Sequence, residues 1–483
     1  MTAYILGLLL LCEAGLLVLP AAVAVIYGEF SALISFIYSA LILVVAGLIF
    51  IRLKPKDTTI YARDGLVIVA LGWIFLSLFG ALPFFLSGEI PNYIDALFEA
   101  VSGFTTTGAS ILSNVESLSK SMLFWRSFTH WVGGMGVLVF VMAVLPLSRG
   151  GGDIHLMRAE SPGPSVGKLV PRSNKTARIL YAIYFAMTVV QIILLLIGGM
   201  PLFDSITISF GTAGTGGFAV LNSSIASYNT FCQAVITIFM ALFGVNFNIY
   251  FLLLCKKFKE AFKSSELKAY FGIMLGAIVI VAINIRGYFD TIFEAFHHSA
   301  FQISSVMTTT GYSTTDFNEW PELSRIVMLL VMCIGASAGS TGGGIKVSRI
   351  ILLFKYAKRE MRALSHPRSI RTITFDGAKV SDETTRGTLA FFVTYVIIFC
   401  CSLLVVSADT ADMVTNISGV IATLNNIGPG FGAVGPLGNF GDYNILSKLV
   451  FIFDMLLGRL EIFPILYLFI PAHKMHLKKK KVH

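Results

Sequence analysis

Charge is scarce in this chain: Asp, Glu, Lys and Arg supply only 13% of its 483 residues. That shortage excludes an ordinary soluble domain, about a quarter of whose residues are charged. No His/Glu zinc motif occurs, so a metal-dependent membrane enzyme has no support, and the chain reads as a non-enzyme. The six cysteines (Cys12, Cys232, Cys255, Cys333, Cys400, Cys401) have no metal-ligand spacing and read as small core residues rather than disulfides. Acidic residues inside apolar stretches are few (Glu13, Asp454, Glu461), which leaves no obvious proton relay. The first residues lack a basic start, so a cleavable signal peptide is not expected.

What is present is apolar length. Hydrophobic residues make up 55% of the chain and the mean hydropathy is +0.80. A helix of about 20 apolar residues crosses the hydrocarbon core. Windows 30–51, 65–88, 179–203, 231–255, 326–345 and 387–408 qualify without a charge, and 269–285 is a shorter one. Windows 3–27, 127–148 and 449–470 are apolar but carry Glu13, His130, and Asp454 with Arg459 and Glu461. Ten spans are therefore expected.

Five stretches (51–64, 148–178, 255–268, 355–386 and 474–481) hold most of the 36 Lys and Arg and alternate with poorly basic linkers. The positive-inside rule puts all five, and both termini, in the cytoplasm. Contact with anionic lipid and water accounts for the net charge of +9, and nucleic acid is not an expected partner.

The external linkers repeat. Four of them (Asp95–Ser110, Asp204–Val220, Asp290–Asp316 and Asp412–Gly435) begin near an Asp and read as one short helix. Each then ends in a Gly-containing extended stretch, followed by another span. Ser102-x-x-Thr105-Thr106-Thr107-Gly108-x-Ser110 matches Ser305-x-x-Thr308-Thr309-Thr310-Gly311-x-Ser313. The second copy supplies Thr215-Gly216-Gly217-Phe218 and the fourth Asn426-Ile427-Gly428-Pro429-Gly430-Phe431. Aligning on the glycine before Phe or Tyr (Ala in the first copy) selects Gly108, Gly217, Gly311 and Gly430. Such repetition is itself a structural statement. Irregular backbone survives at membrane depth only when protein or a water-filled path surrounds it. Four such loops on one axis can offer carbonyls in place of a cation's water shell. Asp95 and Asp204, at equal offsets before their glycines, suit the positive N-terminal ends of two of the short helices.

On Thr105-Thr106-Thr107-Gly108, Thr215-Gly216-Gly217-Phe218, Thr308-Thr309-Thr310-Gly311, Asn425-Asn426-Ile427-Gly428-Pro429-Gly430 and Trp131-Val132-Gly133-Gly134-Met135-Gly136, the chain resembles the Trk/Ktr/HKT superfamily of potassium transporters. The likeness is greatest to its bacterial Trk membrane subunits. The resemblance implies an all-α integral membrane protein in the bacterial plasma (inner) membrane, with four span–pore-loop–span repeats in pseudo-fourfold arrangement. Residues 1–55 would form an accessory helix pair, and 56–160, 161–262, 263–365 and 366–483 the repeats. It implies a K+ selectivity filter at Thr106, Thr107, Gly108, Thr215, Gly216, Gly217, Thr309, Thr310, Gly311, Ile427, Gly428, Pro429 and Gly430. It further implies a homodimer, a cytoplasmic ring of nucleotide-binding regulatory subunits, and no cofactor other than the transported ion. Any nucleotide would act through that partner. Sodium-preferring relatives carry serine at the first filter glycine; here it is Gly108. The scarcity of acids inside the apolar stretches favours a gated, channel-like path over the alternative, an ion-coupled (Na+ or H+) symporter on the same scaffold.

The run Gly335-Ala-Ser-Ala-Gly339-Ser-Thr-Gly342-Gly343-Gly344-Ile-Lys346 should break the span it sits in, since each Gly costs roughly 1 kcal/mol against Ala. A phosphate loop is ruled out because Ile345 separates Gly344 from Lys346 and Val347 follows. The resemblance makes the run a gate below the filter, whereas close helix packing through small residues is the alternative. Arg459 has no carboxylate at helical spacing, so it faces another helix or the path. The resemblance assigns it to the gate, and an ion pair with another repeat is the alternative. His130, His297 and His298 read as structural. Lys346 and Arg349 are expected at the inner end of a helix, suiting its dipole.

Overall fold

The structure is a computed structural model that describes residues 1–53, 62–134, 136, 174–366, 372–409 and 411–469. Most of the basic stretches 148–178 and 474–481, and the turn at Ser161–Pro164, lie outside the described residues.

The described chain is nearly all helix, and its outermost layer is apolar. Thr2–Leu16 runs into Val18–Tyr27, Gly28 turns in the left-handed region, and Phe30–Arg52 returns. The helices of this hairpin cross closely at Gly7 and Gly47, where a methyl on Gly7 would lie 2.8 Å from the Gly47 oxygen. Ile34, Ile37, Leu41, Leu48 and Ile49 on the returning helix stay exposed, as a lipid-facing surface requires.

Four copies of one pattern follow. Each has an outer span: Ala62–Gly80 continued by Leu82–Ser87, Asn174–Ile197, Ser265–Asn284, and Asp382–Val406. Each then has a half-helix: Tyr93–Phe104, Leu202–Gly214, Ile292–Met307 and Met413–Leu424. A second helix closes each copy: Lys120–Gly134, Thr230–Phe243, Glu322–Ile334 and Ile445–Arg459.

The second helices depart from the expectation of ten spans, of which only the one holding 335–346 is expected to break. Six helices among the described residues are long and apolar enough to cross a membrane, and a bent pair makes a seventh. That pair, Thr230–Phe243 and Phe247–Leu254, turns by 90°. In the third copy, residues 335–346 leave the helix altogether before it restarts at Val347–Ser365. In the fourth, Glu461 and Ile462 adopt φ values of 58° and 68°, and Phe463–Leu468 sets off anew. A positive φ at a β-branched residue is costly, and here it ends the helix. The remainder of window 127–148 lies outside the described residues beyond 136. The longest of these breaks, 335–346, sits against the tips of two half-helices, as described below.

Two further corrections concern helix ends. Asp95 and Asp204 stand in the first turns of their half-helices but do not cap them. Asp95 pairs with Lys448 at 2.7 Å, and Asp204 accepts from the Tyr228 hydroxyl at 2.9 Å. The caps are Asn92, Thr291 (in a reciprocal box with Glu294) and Asp412. At Asp412 the Thr415 hydroxyl and the amides of Thr415 and Val414 hold the carboxyl below its usual range. Lys346 and Arg349 begin the helix Val347–Ser365 rather than end it, so its dipole opposes them. Lys346 is offset by the Gly342 carbonyl and Arg349 by Glu461. The cysteines are all free, but Cys255, Cys400 and Cys401 are exposed rather than in the core.

Candidate functional site

The four half-helices end identically. Thr106, Thr215, Thr309 and Asn426 take left-handed backbone, with φ of 56°, 55°, 59° and 55°. Their amides bond back three residues, to Gly103, Thr212, Val306 and Thr423 (3.1, 3.1, 3.3 and 3.2 Å). The next amides bond back five, from Thr107, Gly216, Thr310 and Ile427 to Ser102, Gly211, Ser305 and Ala422 (2.9, 2.8, 2.8 and 2.8 Å). This is the Schellman closure, for which glycine is the usual residue. A non-glycine residue in that conformation costs about 1–2 kcal/mol. Its use at all four tips, three of them β-branched, marks a site where strain is tolerated for a purpose.

One residue further on, the chain turns positive again, at Gly108 (80°), Gly217 (77°), Gly311 (86°) and Gly428 (100°). These four close a ring. A methyl on Gly108 would overlap the Gly216 carbonyl, one on Gly217 the Thr310 carbonyl, and one on Gly311 the Ile427 carbonyl. One on Gly428 would lie 2.7 Å from the Thr107 oxygen and 3.0 Å from the Gly108 carbonyl carbon. Each strand thus touches the next, and the last touches the first. Only glycine allows both this approach and this φ.

The ring corrects the alignment of the fourth copy. Gly428, not Gly430, is the counterpart of Gly108, Gly217 and Gly311. Gly430 packs on its own half-helix, where a methyl would meet Ser418 Oγ at 2.8 Å, and its amide donates to Val434 at 2.7 Å. Pro429 follows the ring glycine, and its Cδ faces Gly311.

Every junction of the ring is braced. Between copies one and two, His130 Nδ1 donates to the Gly103 oxygen (2.7 Å) while Nε2 accepts from the Phe218 amide (3.2 Å), which fixes a neutral tautomer. His130 is a structural residue, as expected. Between two and three, the Tyr312 hydroxyl reaches the Ile208 and Phe218 oxygens (3.1 and 3.3 Å). Between three and four, Asn318 Oδ1 accepts from the Gly432 amide (2.9 Å) and Phe317 meets Phe431 edge-on. Between four and one, Asn426 Nδ2 donates to Thr107 Oγ1 (2.9 Å), and the Phe440 amide to the Ser110 oxygen (2.8 Å). His297 and His298 sit on the third half-helix, bonded to Gln233 and Thr314 (2.8 and 2.9 Å).

The strongest brace escaped the sequence reading. Glu99, inside the first half-helix, pairs with Arg126 at 2.6 Å, and both side chains are at most 2% exposed. The same carboxylate accepts from Ser110 Oγ (3.0 Å) and the Ile111 amide (3.2 Å), so it ties down the strand leaving Gly108. The guanidinium lies 3.9 Å over the Phe218 ring and donates to the Ala219 oxygen, reaching the second copy. The available signal was an acid and an Arg in the middle of two mainly apolar helices of a single repeat.

On the other side of the ring lies the loop 335–346. The Gly343 amide donates to Thr309 Oγ1 (2.6 Å) and the Gly344 amide to the Asn425 oxygen (3.1 Å). Gly342 approaches the Thr308 carbonyl so closely that a methyl would lie 2.7 Å from its oxygen. Gly335, Gly339 and Gly344 carry positive φ, and Lys346 bonds the Gly342 carbonyl. Gly342 and Gly343 thus meet half-helix backbone, whereas Gly335 and Gly344 pack on each other within the loop and Gly339 faces the Asn246 side chain. The loop also contains a Gly-x-Ser-x-Gly pattern at 335–339, but the helix Glu322–Ile334 rather than a strand leads into it, so it is not a nucleophile elbow.

Arg459 joins these parts. It donates to Thr106 Oγ1 (3.2 Å), to the Thr341 oxygen (2.9 Å) and to the oxygens of Gly133 and Gly134. It touches a ring tip, the loop, and the last residues of the helix Lys120–Gly134. Glu461 is committed to Arg349 and Asp454 to Ser402, so neither accounts for Arg459.

Strained half-helix tips joined in a ring, inside a shell of apolar spans, define a membrane protein of four pseudo-equivalent repeats around a single central site. Sequence and structure comparisons agree. Residues 33–478 match the family described as TrkH, cation transport protein, and the chain belongs to that family. It is 36% identical to the Trk system potassium uptake protein TrkH of Salmonella typhimurium, over 97% of this chain and 98% of that protein. It is also 36% identical to TrkG of Escherichia coli K12, over 93% of each. The crystal structure of the potassium transporter TrkH from Vibrio parahaemolyticus superposes with a TM-score of 0.87 at 32% identity, covering 97% and 98% of the two chains.

Proposed function

We propose that this chain takes up potassium across a bacterial plasma membrane through the ring, which acts as a selectivity filter, with loop 335–346 and Arg459 as its gate. The observation that carries the reading is the closed contact of Gly108, Gly217, Gly311 and Gly428 with their neighbours' carbonyls. Backbone oxygens on four converging strands can replace a cation's hydration shell without bringing in a fixed negative charge that would trap it. The four half-helices point their C-terminal ends, which carry partial negative charge, toward the same place. The names of the relatives, potassium uptake proteins and a potassium transporter, agree with this choice of ion.

Uptake is downhill: an inside-negative potential contributes about 2.3 kcal/mol per charge per 100 mV. The basic loops face the cytoplasm, as do the termini. A dimer regulated by a cytoplasmic nucleotide-binding subunit is the assembly that the resemblance implies.

The test is rubidium and sodium flux into proteoliposomes holding the purified chain. Currents under crossed gradients should reverse near the potassium equilibrium potential, with no dependence on a proton or sodium gradient. A reversal potential that tracks protons or sodium would contradict the reading. Arg459→Gln removes the charge and most donors that join Thr106, Thr341 and Gly133. Its initial rubidium uptake should rise about fivefold, the population shift of about 1 kcal/mol for one net hydrogen bond.

A further inference from the structure

Glu266 is a buried acid that the filter and its braces do not use. It lies in the first turn of Ser265–Asn284 and is only 6% exposed. Its carboxylate does not serve its own helix. Oε1 accepts from the Ala338 amide at 2.7 Å, in the middle of the loop beneath the ring. The same stretch of loop is held on its other side by the bend in the second copy. The Ser337 amide donates to the Gly244 oxygen (3.1 Å), and the Phe247 amide to the Gly339 oxygen (3.0 Å). Two of these three contacts join neutral backbone groups. The third is charge-assisted and shielded from water, and so is the strongest of them.

The segment next to Glu266 is tied to the helix that leaves the loop. Residues 374–379 form a two-residue hairpin, Thr374–Phe375 pairing with Ala378–Lys379. Asp376 and Gly377 turn it with φ of 50° and 79°, the geometry Asp-Gly favours. Asp376 Oδ1 accepts from the Ser265 amide at 2.6 Å. The hairpin rests on the helix Val347–Ser365: Ile373, Phe375 and Val380 pack on Leu352, and Lys355 Nζ donates to the Thr374 oxygen (2.7 Å). A closed mechanical circuit results. It runs from the loop through helix Val347–Ser365 to the hairpin, from the hairpin to Ser265, and from the adjoining Glu266 back to Ala338.

The geometry points to Glu266 as the positioning residue that latches loop 335–346 beneath the ring, with the Asp376 hairpin as the lever that loads the latch. Displacing helix Val347–Ser365 pulls the hairpin from Ser265 and frees the Ala338 amide. This rests on the gate reading above and goes beyond it by naming the hold and where force enters.

The test is initial rubidium uptake by the purified chain in proteoliposomes, alongside a variant shortened by deletion of residues 339–343. Glu266→Ala should raise uptake about tenfold, the shift expected from one charge-assisted hydrogen bond. Glu266→Gln, which keeps an acceptor oxygen, should stay much nearer the parent. Asp376→Ala, on the surface hairpin, should raise uptake by a smaller factor. The rubidium-to-sodium ratio should not change in any of them, whereas a residue that merely supports folding would lower uptake. If the shortened loop raises uptake while Glu266→Ala and Asp376→Ala do not, the latch is wrong and the gate stands. If the shortened loop does not raise uptake either, the gate reading fails and takes the latch with it. Should Glu266→Ala not purify as a single species, Asp376→Ala decides alone, and unchanged uptake overturns the proposal.

Discussion

Replacing Gly108 by serine should lower the rubidium-to-sodium flux ratio by about tenfold or more, equivalent to about 1.4 kcal/mol between the two ions. The reason is steric before it is chemical. Gly108 sits at φ 80°, and a Cβ there would overlap the Gly216 carbonyl of the neighbouring strand. The ring must widen or one carbonyl must turn away, and either change removes an oxygen that replaced ion-bound water. A smaller, more strongly hydrated ion that keeps part of its water loses less by this than a larger one stripped bare. The fourth copy offers a sharper version of the experiment. Gly428→Ala should shift the ratio in the same direction, because its Cβ meets Thr107 and Gly108. Gly430→Ala should crowd Ser418 and leave the ratio alone, because that glycine is outside the ring. Flux ratios for the pair decide between the two glycines.

The second large effect is on stability. Arg126→Ala leaves the Glu99 carboxylate buried without its cation, and breaking such a pair costs about 3–5 kcal/mol. It also removes the guanidinium from the face of Phe218 and the donor to Ala219. The unfolding midpoint in detergent should fall by far more than for a surface pair such as Arg325–Glu322, worth at most about 1 kcal/mol. The double variant Glu99→Gln with Arg126→Met, which leaves no buried charge, should recover much of the loss. A midpoint for Arg126→Ala equal to that of Arg325→Ala would contradict this account of the brace.

Much of the architecture was legible because the bilayer imposes a simple rule: apolar length reads as a span. The outer spans, such as Asn174–Ile197 and Asp382–Val406, lie close to the windows that hydropathy marks. The second helices were harder, since their breaks are tertiary. Only the run from Gly335 to Lys346 announced itself, through its glycines. Ile462 gives no such warning: a β-branched residue at positive φ is not what its sequence favours. The fourth filter strand was misaligned because an aromatic neighbour was the guide. The reliable register counts from the half-helix end: a left-handed residue, one whose amide bonds back five residues, then a glycine of positive φ. By that count Asn426-Ile427-Gly428 falls on Thr106-Thr107-Gly108 without adjustment. The Glu99–Arg126 pair was invisible for another reason. Its members lie on different helices, and no local spacing reports a contact made across a turn.

The most direct measurement is the position of thallium, a heavy stand-in for potassium, located by anomalous scattering in crystals of the protein. Density should lie on the axis, among the carbonyl oxygens of Thr107, Gly216, Thr310 and Ile427. A ring without thallium, in crystals where the ion is bound elsewhere along the path, would contradict the claim that these four strands select the ion.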